Sequence, residues 1–177
     1  MSATVERQQL FVAQTGRLVF FGAWSMLFAA LFMAYGFVRS SSAVWPPVDV
    51  PVLDIRLPLM STLLVIASSL ALIFADRLHS RPLTGLALSL GLAFLAAQTI
   101  AAVQLWKSGM TPSTGGAYGT VVYGLCAAHA LHVAPGLVAL LAGVVTKPRV
   151  HTRAFWSAYW HFVAAVWCLL FVALFGV

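Results

Sequence analysis

Five apolar stretches dominate this chain, at roughly 18–38, 57–75, 83–106, 119–145 and 154–177, and none of them contains Asp, Glu, Lys or Arg. A helix needs about 20 mostly apolar residues to cross a bilayer. Lipid offers backbone amides no partner, so stretches of this kind must satisfy their own hydrogen bonds as helices. The expected fold is therefore an all-α integral membrane protein, a five-transmembrane-helix bundle in which 1–177 forms a single transmembrane domain. Composition agrees, with 62% of residues hydrophobic and only 8% charged. A soluble domain carries about 25% charged residues.

The breaks between spans carry turn chemistry: RSSSAVWPPVDVPVLDIRLP, DRLHSRP, KSGMTPSTGG and TKPRVHTR. Proline lacks an N–H and disfavours helix at the residue before it, so these clusters punctuate the spans. Basic residues orient the bundle. Arg7, Arg17, Arg77, Arg81, Lys147, Arg149 and Arg153 fall on one side, and Arg39, Arg56 and Lys107 on the other. The excess predicts the N-terminus inside and the C-terminus outside. Trp45, Trp106 and Trp156 fall near span ends, where interfacial anchors belong. The formal charge of +6 is explained by these loops and gives no reason to expect nucleic acid. The N-terminus, with Glu6, Arg7 and Arg17, does not read as a cleavable signal. Cys126 and Cys168 show no CxxC or CxxCH spacing, so neither a disulfide framework nor c-type haem attachment is expected.

Spans without carboxylates, lysines or arginines argue against an ion-coupled transporter or proton pump, which needs an ionisable group within the membrane. What the spans do contain is small residues. Gly85, Ser89, Ala93, Ala97 and Ala101 recur every four positions and predict a close-packing stripe. Similar steps place Gly124, Ala128, His132 and Gly136 on the fourth span, and Ser157, His161 and Ala165 on the fifth. The histidines admit two readings. Imidazoles ligate iron, copper and zinc, and His132 with His161 is the pair a bis-histidine haem would need. The plainer reading is interhelical hydrogen bonding by His129, His132 and His161, worth about 1 kcal/mol each in lipid. Gln98 is a further interhelical candidate, because an amide deep in lipid needs a partner, and His129 or His132 is the expected one. Most Ser and Thr are expected to bond back to a carbonyl one turn earlier. Phosphate-loop, GxGxxG, HExxH and GxSxG motifs are missing from the sequence.

Four stretches carry a family resemblance: WPPVDVPVLDIRLPLMSTLLVIASSLAL, GLAFLAAQ with GMTPSTGGAYGTVVYGL, HALHVAPGLVALL and YWHFVAAVWCLLFVAL. In order and spacing they resemble subunit III of haem-copper terminal oxidases, the cytochrome c and quinol oxidase family, in its short five-helix form. The likeness covers about 16–177. It implies a non-catalytic subunit with no catalytic residue, cofactor or metal of its own, haem and copper being held by the partner subunits. The implied partners are a haem-bearing subunit I, with subunit II, and membrane lipids including a bound phospholipid. The implied complex reduces oxygen and pumps protons in a bacterial-type inner membrane, this chain stabilising subunit I. Three acids of the family pattern are replaced, by Trp24, Ala101 and Ala164. Their loss leaves the histidines without ionic partners and expected to be neutral. Two alternatives stand beside this reading: a subunit-III-like accessory protein of a nitric oxide reductase, and a b-type haem anchor ligated by His132 and His161.

Overall fold

The computed structural model describes residues 3–45, 47, 54–146 and 150–176. Five helices are present: α1 (Ala3–Ser40), α2 (Arg56–Leu78), α3 (Arg81–Lys107), α4 (Gly116–Val145) and α5 (Val150–Phe175). No strand occurs among the described residues. Each helix contains a segment long and apolar enough to cross a membrane, in α1 from Gln14 to Ser40. The predicted spans fall on these helices except for Gly176, which follows α5, and Val177, which lies outside the described residues. Seven residues of the proline-rich first loop, 46 and 48–53, and residues 147–149 of the fourth loop also lie outside them.

The chain divides into two units, Met1–Ser41 and Ser42–Val177. In the first, α1 carries a local aromatic group in which Phe20 meets Phe21 and Trp24 edge-on. Its end is capped by the hydroxyls of Ser40 and Ser41, which both donate to the Phe37 carbonyl.

In the second unit, α2 packs on α3, α3 on α4, α4 on α5, and α5 returns to α2. Successive helices run antiparallel, giving an up-down four-helix ring. Apolar residues surround every helix, so burial is sorted by position. On α4, Leu125, His129, Val133, Gly136 and Leu140 face inward at helical spacing, whereas Leu131, Val138 and Val145 are exposed. Exposed leucine and valine at seven-residue steps mark a lipid-facing stripe.

Trp160 of α5 fills the centre and is fully buried. Glycines admit it from two sides. A Cβ at Gly91 of α3 would come within 2.8 Å of its ring, and one at Gly136 of α4 within 2.7 Å. Its indole N–H donates to Ser68 Oγ of α2 at 3.1 Å, so one side chain touches all three neighbouring helices.

The α2–α3 connection is shorter than DRLHSRP implies. Helix α2 continues through Asp76 and Arg77 to Leu78, and only His79 and Ser80 form the turn. His79 adopts the left-handed conformation (φ 51°), which lets the Ser80 N–H bond to the Ala75 carbonyl at 3.0 Å. Pro82 then opens α3, where the missing N–H is harmless.

The small-residue stripe of α3 is not where α3 packs in this chain. Its buried positions are Thr84, Ala87, Gly91 and Phe94. Ser89 and Ala93 are exposed, and Gly85, Ala97 and Ala101 are half-buried. The bulky contacts of Phe94 and the Trp160 ring over Gly91 decide which side of α3 turns inward, and they override the run of small side chains.

Candidate functional site

Two features of the four-helix unit concentrate its polar groups: a ladder joining α2 to α5, and a cleft between α3 and α4. The ladder begins with an ion pair. Arg153 Nε lies 2.7 Å from Asp76 Oδ1, and Arg153 Nη2 donates to the Ala75 carbonyl at 3.0 Å. Ser157, one turn along α5, donates to Asp76 Oδ2 at 2.5 Å and lies 3.3 Å from His161 Nε2. His161 Nδ1 is 2.6 Å from Ser69 Oγ. Beyond it come Trp160 on Ser68 and Trp167, whose indole N–H donates to Thr62 Oγ1 at 2.9 Å. Each step of about seven residues along α5 is met by a matching step backwards along α2. Seven residues are close to two turns, so an antiparallel pair repeats its facing positions at this interval.

The ladder also assigns the imidazole. Ser157 has one proton, which goes to Asp76, so its oxygen accepts from His161 Nε2–H. Nδ1 is then left to accept from Ser69 in a neutral ring.

Two sequence expectations change here. The spans were drawn to end before Asp76 and begin after Arg153, but both residues lie inside helices at one end of the bundle. Each neutralises the other, which is why a charged pair can sit at the helix ends. His161 accordingly reaches a carboxylate through one hydroxyl, despite the family acid replaced by Ala164. Its interhelical link runs to Ser69 of α2 and not to His132, the partner a bis-histidine haem would need.

The other candidates separate. His129 is buried between rings, with centroids 5.2 Å from Trp167 and 6.1 Å from Phe94. His132 Nδ1 lies 2.5 Å from the Ala128 carbonyl of its own helix. Gln98 donates to Ser61 Oγ of α2 rather than meeting a histidine. Ser61 in turn donates to the Pro58 carbonyl at 2.8 Å, in the first turn of α2. Back-bonding to a preceding carbonyl holds for Thr62, Ser89 and Thr99. Ser68 departs from it by donating to Ala87 of α3 at 2.6 Å. Among the described residues, no three His, Cys, Asp or Glu side chains are grouped so as to hold a metal ion.

Sequence reasoning missed Tyr159. Pro135 lies inside α4 and removes one donor from the ladder of helical hydrogen bonds. Tyr159 of α5 donates its hydroxyl to the neighbouring His132 carbonyl at 2.9 Å. A neighbouring helix thus supplies a proton in the turn where the proline lacks one. The signal was the proline itself, in HALHVAPG, with a tyrosine just before WHF.

The cleft is apolar and has a volume of about 430 Å³. Phe94, Leu95 and Leu105 of α3 face Val122, Ala127 and Ala130 of α4 across it, with Gln98 and His129 at depth. The end nearest Asp54 and Ser108 is closed on one side by Met110, Tyr118 and Val122, with Trp45 stacked edge-on to Tyr118 at 4.8 Å. Tyr123 ties this plug to α4 by donating to the Met110 carbonyl at 2.8 Å.

The family model described as cytochrome c oxidase subunit III matches residues 7–176. The chain belongs to the cytochrome c oxidase subunit III family. Curated relatives agree. A cytochrome c oxidase subunit 3 of Synechocystis is 30% identical, the match covering 89% of this chain and 72% of the relative. That of Bacillus subtilis is 27% identical over 90% of this chain and 84% of its own length. A probable cytochrome c oxidase subunit 3 of Nocardia farcinica is 31% identical over 94% and 88%. Family membership and five span-length helices together make this an integral membrane protein. In this member of the family, YWHFV supplies Tyr159, Trp160 and His161 to the contacts of α5 with α4 and α2.

Proposed function

We propose that the chain is a non-catalytic subunit III of a proton-pumping terminal oxidase. It packs beside a haem-bearing subunit I, with subunit II in the same complex, stabilises subunit I and retains phospholipid. The observation that carries the reading is the family match across 7–176, on a chain whose five helices are all long enough to span a membrane. The excess of Lys and Arg on one side supports the N-terminus inside and the C-terminus outside, in a bacterial-type inner membrane. The polar groups support a structural role. Both ring nitrogens of His161 are engaged by hydroxyls, which speaks against its use as an axial haem ligand.

A gentle detergent pull-down of the chain, read by mass spectrometry and an optical spectrum, tests the reading. Haem should arrive with larger oxidase subunits and be missing once this chain is separated. Haem retained by the separated chain would overturn the assignment in favour of a b-type anchor. A partner holding haem and non-haem iron but no copper would move the chain to a nitric oxide reductase.

A further inference from the structure

We infer that the cleft between α3 and α4 binds an isoprenoid quinone head-first, with the quinone ring held at Gln98. The inference goes beyond the accessory role proposed above and does not depend on which haem-bearing complex holds the chain.

The deep end of the cleft carries an amide with capacity to spare. Gln98 donates one N–H to Ser61 Oγ of α2. Ser61 gives its own proton to the Pro58 carbonyl, so the Gln98 nitrogen, not its oxygen, must face Ser61. The carbonyl oxygen and the second N–H of Gln98 then have no partner among the described residues, and the side chain lines the cleft. An amide left unmatched in hydrocarbon is costly. An acyl chain does not match it, because a phospholipid keeps its polar groups at the membrane surface and would bring methyl ends to Gln98. Water is a poor filler for about 430 Å³, since it needs several polar partners and the walls are largely hydrocarbon. The fitting ligand carries a polar group at its buried end and hydrocarbon behind it.

The floor favours a flat ring. Phe94, His129 and Trp167 line the inner end, and the Trp167 ring lies 5.2 Å from each of the other two, centroid to centroid. Aromatic walls pack well on a planar ring through offset and edge contacts. The lining residues include no Lys or Arg, so a fatty-acid carboxylate would enter without a counter-charge. A quinone meets both requirements. Its carbonyl accepts from the second N–H of Gln98, and the hydroxyl of its reduced form donates to the Gln98 oxygen. The volume falls within the range of about 300–1,000 Å³ usual for small-molecule sites. From Gln98 to Ser108 the α3 wall rises about 15 Å, a path for the isoprenoid tail past Ala101 and Leu105. Ala102 and Ala127 line the cleft from opposite helices and are exposed, so it opens sideways toward lipid, where a quinone is dissolved.

The test uses the intact complex in a non-ionic detergent, with a short-chain benzoquinone carrying a photoreactive azido group as the probe. After illumination the labelled peptides are mapped by mass spectrometry. Label should fall on residues 94–105 of α3 or 122–130 of α4 and drop several-fold when excess unlabelled quinone is present. Gln98→Leu removes the amide at similar bulk and should lower this label several-fold while the chain stays in the complex. Ala102→Phe with Ala127→Phe narrows the opening and should do the same, whereas Leu131→Phe on the outer face of α4 should label like the wild type. Should a variant fail to fold, competition in the wild type still decides. Label confined to other subunits overturns the proposal, as does equal labelling of the wild type and Gln98→Leu. So does displacement of the probe by added phospholipid as effectively as by quinone, which would mark the cleft as a site for any hydrocarbon. Haem-bearing partners are followed in the same samples. Their absence from the wild type would defeat the accessory-subunit reading, while the labelling would still decide the cleft.

Discussion

Trp160 and Gly136 touch so closely that any side chain at the glycine would force a shift: a Cβ there would lie 2.7 Å from Cε3 of the indole. Both are buried, and Gly91 meets the same ring from α3. The bundle therefore closes around one side chain rather than along a continuous stripe. Gly136→Ala should destabilise the chain by about 1–3 kcal/mol, the usual penalty for overpacking. Thermal denaturation in detergent would show it. In a Trp160→Phe background the same substitution should cost less, because the smaller ring leaves room for the methyl. Equal penalties in the two backgrounds would mean that the glycine is there for some other reason.

The Asp76–Arg153 pair should behave as a coupled unit at a partly wet helix end. Its side chains remain 30% and 28% exposed, so solvent screens much of the attraction. Asp76→Ala removes the acceptor of both Arg153 and Ser157, and Arg153→Ala leaves the carboxylate uncompensated. A double-mutant cycle should give a coupling of about 1 kcal/mol that shrinks as salt is raised. Additivity at all salt concentrations would dismiss the pair as a stabilising contact.

How far the fold could be read from sequence depended on which signal each feature left. Hydrophobic length alone located all five helices, since span length leaves a signature that side-chain detail cannot mask. The helix ends were harder. Asp76 and Arg153 look like loop charges until the two are seen to neutralise each other, and His79 gives no hint of its left-handed conformation. Partner choice was the least legible. Gln98 and His161 were recognisable as groups needing partners, yet their partners Ser61 and Ser69 both lie on α2. The small-residue stripe of α3 is a real pattern that this chain's own helices leave half-buried or exposed. Small side chains permit close approach on any side, and the bulk of Trp160 and Phe94 decided which side was used.

The middle of the ladder can be tested through His161. His161→Leu deletes the contacts to Ser69 and Ser157 and should cost about 1 kcal/mol in chain stability, typical of an interhelical hydrogen bond in lipid. Ser69→Ala should add little on top of it, since both changes break the same contact. Haem per subunit I, read optically in the purified complex, should stay at the wild-type value even where less of this chain remains attached. A fall in haem in step with the loss of the imidazole would make His161 a ligand instead.

Tyr159 offers the sharpest separation of cause from coincidence. Its hydroxyl reaches the His132 carbonyl in the turn that precedes Pro135. Tyr159→Phe keeps the ring and its packing against Trp156, with centroids 5.6 Å apart, and deletes only the donor. The expected loss is about 1 kcal/mol, as for other neutral hydrogen bonds. Pro135→Ala restores a backbone N–H and relieves the crowding that the ring imposes on the preceding turn. In that background the turn has its full set of backbone donors, and Tyr159→Phe should cost clearly less. The comparison needs four thermal melts under one detergent condition. If Tyr159→Phe costs the same with and without the proline, its hydroxyl serves the α4–α5 contact generally and has no particular relation to Pro135.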